Sequence, residues 1–173
     1  TGSLRWAIDR ANTTTGFDSI GFDQSLAGGT ITLQTSLAEL KDKVAINGLV
    51  SSGNAPQVAV NFNKNDGLIF SGKSANGSSI KGLALVNAGG DGLILNAANI
   101  SVQNNYIGVG LDGVTGMGNA GNGILISNKS KDNLIGTLDP LTGSNLATQV
   151  SNVISANAAN GILVQGSSNN RIA

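Results

Sequence analysis

Residues 119–127 read NAGNGILIS, and three other stretches restate the pattern: KNDGLIFS at 64–71, GGDGLILN at 89–96 and NAANGILVQ at 157–165. Each is a polar residue, a glycine and a short apolar run in which every second side chain would face the same way along a strand. The spacing between the four glycines, at 67, 92, 123 and 161, widens along the chain. The widening is confined to two segments rich in turn-forming residues, VGLDGVTGMG at 109–118 and LDPLTGSNLATQV at 138–150. The text between them keeps recurring as pairs of short strands: SIKGLALVN at 79–87, NISVQNNYIG at 99–108, and DNLIGT at 132–137 with SNVISAN at 151–157. Loops grow and coils do not.

A unit of about 25 residues holding three short strands, with asparagine or glycine at the corners, is the pattern of a parallel β-helix. The expected fold class is therefore all-β, a solenoid with three short strands per coil, each coil stacked on the next at about 4.8 Å. Equivalent residues would form interior ladders, Leu68 with Leu93, Ile124 and Ile162, and Phe70 with Leu95, Ile126 and Val164. Each such buried side chain contributes roughly 1.5–3 kcal/mol. Glycine at the corner suits a turn that a Cβ would hinder. The preceding polar positions, Asp66, Asp91, Asn122 and Asn160, suit a ladder of residues that tolerate the left-handed region.

The first residues read differently. In SLRWAIDRAN at 3–12, Leu4, Ala7, Ile8 and Ala11 share one helical face and Ser3 is an N-cap candidate. A single amphipathic helix ahead of a solenoid would cover its open apolar end, with Trp6 at the edge of that cap. Residues 17–63 read as less regular first coils and 64–173 as regular ones carrying the inserts 109–118 and 138–150, all in one domain over 1–173.

These same residues carry a resemblance. SLRWAIDRAN, followed by DSIGFD, GGTITL and VAINGL, is similar to the opening of bacterial secreted proteins marked by a Cys-Ser-Leu-Arg-Glu-Ala-like segment. Gly2 stands where that family often has cysteine, and Trp6 where it often has glutamate. NNYIGVGLDGVTGMGNAGNGILIS and NVISANAANGILV resemble its β-helix repeats. The resemblance implies a right-handed, pectin-lyase-like β-helix, exported to the cell surface or beyond it, and one module of a larger adhesin-like protein. It implies no single activity, since one fold hosts many functions.

Composition narrows the chemistry. Charged residues are 12% of the chain and balance to zero, so nothing electrostatic points to nucleic acid. No apolar run approaches the length that crosses a bilayer, so membrane insertion is not expected. There is no histidine and no cysteine. Triads built on those residues, thiol metal sites and imidazole acid–base catalysis are thereby excluded, leaving carboxylate, amine and calcium chemistry.

Within that remainder, Asp66 and Asp91 fall at one corner of adjacent coils, where two carboxylates repel unless a proton or a cation such as Ca²⁺ lies between them. Both also read as ordinary turn residues before glycine. NAGGDGLIL at 87–95 resembles a calcium-binding nonapeptide, but Ile94 occupies the liganding position. Asp112 and Asp139 lie in the two inserts, where a solenoid usually carries its binding surface, with Lys129 and Lys131 the nearest bases. Tyr106, with alternating neighbours in NNYIG, could face inward or outward, and outward it would offer a sugar a stacking face; Phe62 and Phe70 read as core.

The leading expectation is a non-catalytic structural or adhesive module of an exported bacterial protein. One alternative is a carbohydrate-active lyase or epimerase assembled from Asp112, Asp139, Lys129 and Lys131; the other is a subunit of a self-assembling extracellular filament. Expected partners are neighbouring coils of a longer parent chain, copies of the chain itself, or a glycan, with no organic cofactor. Convergence of two carboxylates and a base on one groove discriminates the enzyme from the module.

Overall fold

The computed structural model describes residues 2–128, 130–137 and 151–173. After a helix α1 (Leu4–Ala11), the chain winds through three parallel sheets, giving one short strand to each in turn once past the first coil, which places strands in only two of them. Sheet A holds, in spatial order, β1 (Asp18–Gly21), β3 (Val44–Asn47), β6 (Ser79–Lys81), β9 (Ser101–Gln103), β12 (Leu134–Ile135) and β15 (Arg171–Ile172). Sheet B holds β2 (Gly29–Thr32), β4 (Val58–Asn61), β7 (Leu83–Val86), β10 (Tyr106–Ile107) and β13 (Val153–Ile154). Sheet C holds β5 (Leu68–Ser71), β8 (Leu93–Asn96), β11 (Ile124–Ile126) and β14 (Ile162–Val164), extended toward the helix by a bridge between Leu40 and Phe70. The protein is a parallel β-helix with an N-terminal cap.

The interior ladders take the expected register. Leu68 pairs with Leu93, Leu93 with Ile124 and Ile124 with Ile162, and the Phe70 ladder runs likewise through Leu95 and Ile126 to Val164. Burial is complete at Phe70, Leu93, Leu95, Ile124 and Ile126. It lapses in the last coil, where Val164 is 43% and Ile172 55% exposed. Residues 17–63, expected to be irregular, also pair in register: Ile20 with Ile46, and Ile31 with Val60.

The cap is built as its sequence suggests. The Ser3 side chain accepts from the Trp6 amide, and Leu4, Ile8 and Ala11 are buried against the first coil. Arg5 donates to the carbonyls of Thr35 and Ser36, and Asn12 both donates to the Glu39 carbonyl and accepts from the Lys41 amide. The helix is thus tied to the side of the first coil that lacks a full strand.

The middle of sheet B is buried on both faces. Val58, Val60, Leu83 and Leu85 enter the main core, while Ala59, Ala84 and Val86 face outward into a second apolar cluster completed by Tyr106, Leu111 and Met117. The insert after β10 supplies that cover. It closes on itself through a bridge between Val109 and Gly116 and folds back over the sheet.

Three of the four corner glycines, Gly67, Gly92 and Gly123, are needed for a different reason from the one their turn position suggests. Gly67, Gly92, Gly123 and Gly161 are absent from the glycines with positive φ. What forbids a side chain is the next coil: a Cβ on Gly67 would lie 2.1 Å from the Asp91 carbonyl oxygen, and one on Gly123 2.6 Å from the Gly161 carbonyl oxygen. The left-handed positions fall elsewhere, at Asn87, Asn99, Asn104, Asn128 and Asn169 among others, and not at Asp66, Asp91, Asn122 or Asn160.

Candidate functional site

The polar corner before sheet C forms the expected ladder, but its members reach in different directions. Asp91 Oδ1 accepts from the Asn122 backbone N–H at 2.6 Å and from Asn122 Nδ2 at 2.7 Å. Asn122 Oδ1 in turn accepts the N–H of Asn160 at 3.1 Å and its Nδ2 at 2.9 Å. Asp66 Oδ2 instead accepts the Ser36 hydroxyl at 2.7 Å, one coil toward the helix. The two carboxylates that would begin a Ca²⁺ site are thus each engaged by the coil on the side away from the other. Among the described residues, no group of three or more Asp, Glu, His or Cys is placed to hold a metal ion.

Asp112 organises its own turn. Its Oδ1 accepts the N–H groups of Val114 and Thr115 at 3.0 and 2.9 Å, and its Oδ2 accepts the Thr115 hydroxyl. The Thr115 hydroxyl, followed by those two amides, holds the carboxyl below its ordinary value. That turn puts Gly113, at φ +69°, against the Tyr106 ring, where even an added Cβ would sit 3.2 Å from the ring carbons. Tyr106 faces outward from sheet B and is half-buried there, packed with Ala59, Ala84 and Val86 and against this turn.

The sign of the Asp112 effect follows from its lowered value. The carboxylate supports the insert above the unfolded-state pKa, and that support is lost as pH falls through the lower folded value. Acidification below the ordinary carboxylate range, or Asp112→Ala at neutral pH, is therefore expected to uncover Tyr106, the single tyrosine. Nitration of Tyr106 at mildly alkaline pH reads the Asp112→Ala variant, and the ultraviolet difference spectrum of the ring reads the acid arm. Asp112→Asn, which keeps an acceptor for the two amides, should leave the ring largely protected.

Lys131 belongs to another part of the coil. It lies past β11 at the corner between sheets C and A, bridged to Ser168, with its ammonium 3.9 Å from the Asp132 carboxylate in an exposed pair of small energetic weight. Asp112 lies in the insert packed on sheet B, whereas Lys131 lies at the turn between sheets C and A. Asp139 and Lys129 lie outside the described residues. The described candidates do not converge on one groove.

No family model matches this chain, and no curated protein or solved structure is similar to it beyond chance.

The polar residues that matter most for the geometry are ones the sequence reading passed over. Asn105, Asn119 and Asn133 are buried inside the corners. The Oδ1 of Asn105 accepts the Leu83 amide, that of Asn119 the Ala88 amide and that of Asn133 the Ile100 amide, each from the preceding coil. Their own amides donate to the Oδ1 atoms of Asn152, Asn157 and Asn170 in the following coil. These three ladders lean one way along the axis; the Asp91–Asn122–Asn160 ladder leans the other. A signal was present in the text, because Asn-x-Ile opens β10, β12, β13 and β15 at Asn105, Asn133, Asn152 and Asn170.

Proposed function

We propose that the chain is a non-catalytic structural module of an exported bacterial protein, a rigid rod segment serving as stalk, spacer or adhesive surface at the cell exterior. The observation that carries this reading is the unbroken register of all three sheets, each corner locked by amide or glycine contacts, with the insert after β10 spent on covering a sheet. The likeness of SLRWAIDRAN to the Cys-Ser-Leu-Arg-Glu-Ala-like segment of secreted proteins supports the address. No helix is long and apolar enough to cross a membrane among the described residues.

A second reading, axial stacking, is favoured by the exposed edge of the last coil. Val164 and Ile172 stand open there, beside strand edges able to pair with a further coil of a parent chain or with another copy. One preparation tests both readings. Incubation with uronate-containing and neutral polysaccharides, with and without Ca²⁺, should release neither unsaturated uronides nor new reducing ends; turnover abolished by Asp112→Asn would overturn the module. Sedimentation over a concentration series should show association that Ile172→Lys removes, and a strictly monomeric species would sink stacking between copies.

A further inference from the structure

A groove of about 490 Å³ runs along the corner between sheets B and C. It takes Asn61 from the end of β4 and Asn63 and Lys64 from the turn after it, Asn87 from the turn after β7, Gly118 from the turn after β10 and Ala156 from the turn after β13. It therefore crosses four successive coils, a length of about 14 Å at the ordinary strand spacing. The rest of its lining is Asn119 and three alanines, and among the described residues no carboxylate or aromatic ring lines it.

Left-handed residues other than glycine occur at other corners too, but there they are asparagine or aspartate, whereas this lining includes a lysine and an alanine. Asn63 (φ 50°), Lys64 (φ 65°), Asn87 (φ 57°) and Ala156 (φ 61°) all hold left-handed backbone on its lining. Lysine and alanine adopt that conformation only where surrounding structure imposes it, and such positions gather at binding sites. The side chains also carry unspent hydrogen-bonding capacity. Asn61 Oδ1 accepts from the Asn63 amide and from Asn87 Nδ2, and Asn63 Nδ2 donates to the Leu33 carbonyl. Among the described residues, nothing engages Asn61 Nδ2, Asn63 Oδ1, Asn87 Oδ1 or the Lys64 ammonium. Donors and acceptors thus mix along the wall with one formal charge.

That pattern selects a ligand class. A nucleic acid would call for several cations. An extended peptide would call for a free strand edge or apolar pockets, and the groove has neither. Sugar hydroxyls both donate and accept, matching a wall of amides. We propose that this groove binds a linear oligosaccharide, with the carboxylate of an acidic sugar placed at Lys64. The proposal rests on the groove and is independent of whether the rod is catalytic.

The test is calorimetric titration of the full chain with a galacturonate trimer, sialyllactose, cellohexaose and an extended heptapeptide. The two acidic probes distinguish which acidic sugar is taken, and binding of either is the expected result. Lys64→Gln should weaken it about tenfold, the scale of one modestly desolvated ion pair, and added salt should weaken it too. Ala158→Trp, at an exposed position on the lining, should block it while leaving the thermal melt unchanged, and Lys131→Gln at the opposite corner should change nothing. Failure of both acidic probes to bind overturns the proposal. So does cellohexaose or the heptapeptide binding as tightly, or affinity that survives both Lys64→Gln and Ala158→Trp. Turnover of a bound sugar would overturn the non-catalytic reading and leave the groove standing.

Discussion

Gly67→Ala is expected to destabilise the rod by about 3 kcal/mol, at the upper end of ordinary overpacking. For a chain of this length that lowers the melting temperature by roughly 6–12 °C. One methyl does this because its neighbours are main chain: the added Cβ would meet the Asp91 carbonyl oxygen at 2.1 Å and the Gly92 carbonyl oxygen at 2.4 Å. No rotamer can relieve that contact, so two coils must part locally and loosen the Leu68–Leu93 rung beside it. Gly161→Ala is the internal control. It changes the same corner in the last described coil, where the new Cβ would meet only Ile154 Cγ2 at 3.7 Å. Its melt should lie within about 0.5 kcal/mol of wild type, as for a surface substitution. Equal effects at the two glycines would show that conformational freedom, not coil approach, sets the requirement.

Asn105→Ala should cost a similar amount by an opposite route, removing atoms instead of adding them. Asn105 is fully buried, and its Nδ2 donates to the carbonyls of Ile80 and Gln103 at 3.0 Å while its Oδ1 accepts the Leu83 amide at 3.2 Å. Truncation strands two buried main-chain groups and a part-buried one, the buried ones at about 1–3 kcal/mol each if left unpaired, so a loss of about 3 kcal/mol is expected in denaturant unfolding. Asn105→Asp separates charge from shape. It keeps the acceptor for Leu83 but turns an oxygen toward the two carbonyls, and burial would raise the pKa of the new carboxyl in the folded state. A raised value places the relative stability at low pH and removes it as pH rises through the folded pKa. The variant should therefore be least stable near neutrality and recover on acidification, the reverse of the Asp112 dependence. A pH-independent loss would overturn the account.

The two asparagine roles show how far the sequence could be read. The apolar ladders were legible because alternation along Leu68–Ile69–Phe70 and its relatives repeats with the same phase, and phase alone decides which side chains face inward. The cap was legible from Ser3 and the Leu4–Ile8–Ala11 stripe. Tyr106 was undecided because its cover comes from residues after it that form no regular element, only an Asp112-centred turn. The buried carboxamides were hidden by their chemistry: asparagine before a strand reads as a turn residue, and it requires the neighbouring coil's main chain to show that it is a rung. Asp66 and Asp91 were correctly placed at one corner, yet sequence carries no record of which neighbour each oxygen faces. The groove between sheets B and C was likewise invisible, since its members come from four separate turns.

The lean of the amide ladders has a consequence in time. At three corners, each coil's free N–H groups are completed by carboxamide oxygens that occur later in the chain. Domains synthesised from the N-terminus begin folding before the whole chain exists. A growing rod of this kind would always end in a front of unanswered N–H groups, each satisfied only when the following coil winds on. The fourth ladder, leaning back through Asn122 to Asp91, answers a new coil's amide with an oxygen already in place. Arrival is met from one side and then secured from the other, which makes winding toward the C-terminus the easy direction and unwinding from its middle the hard one.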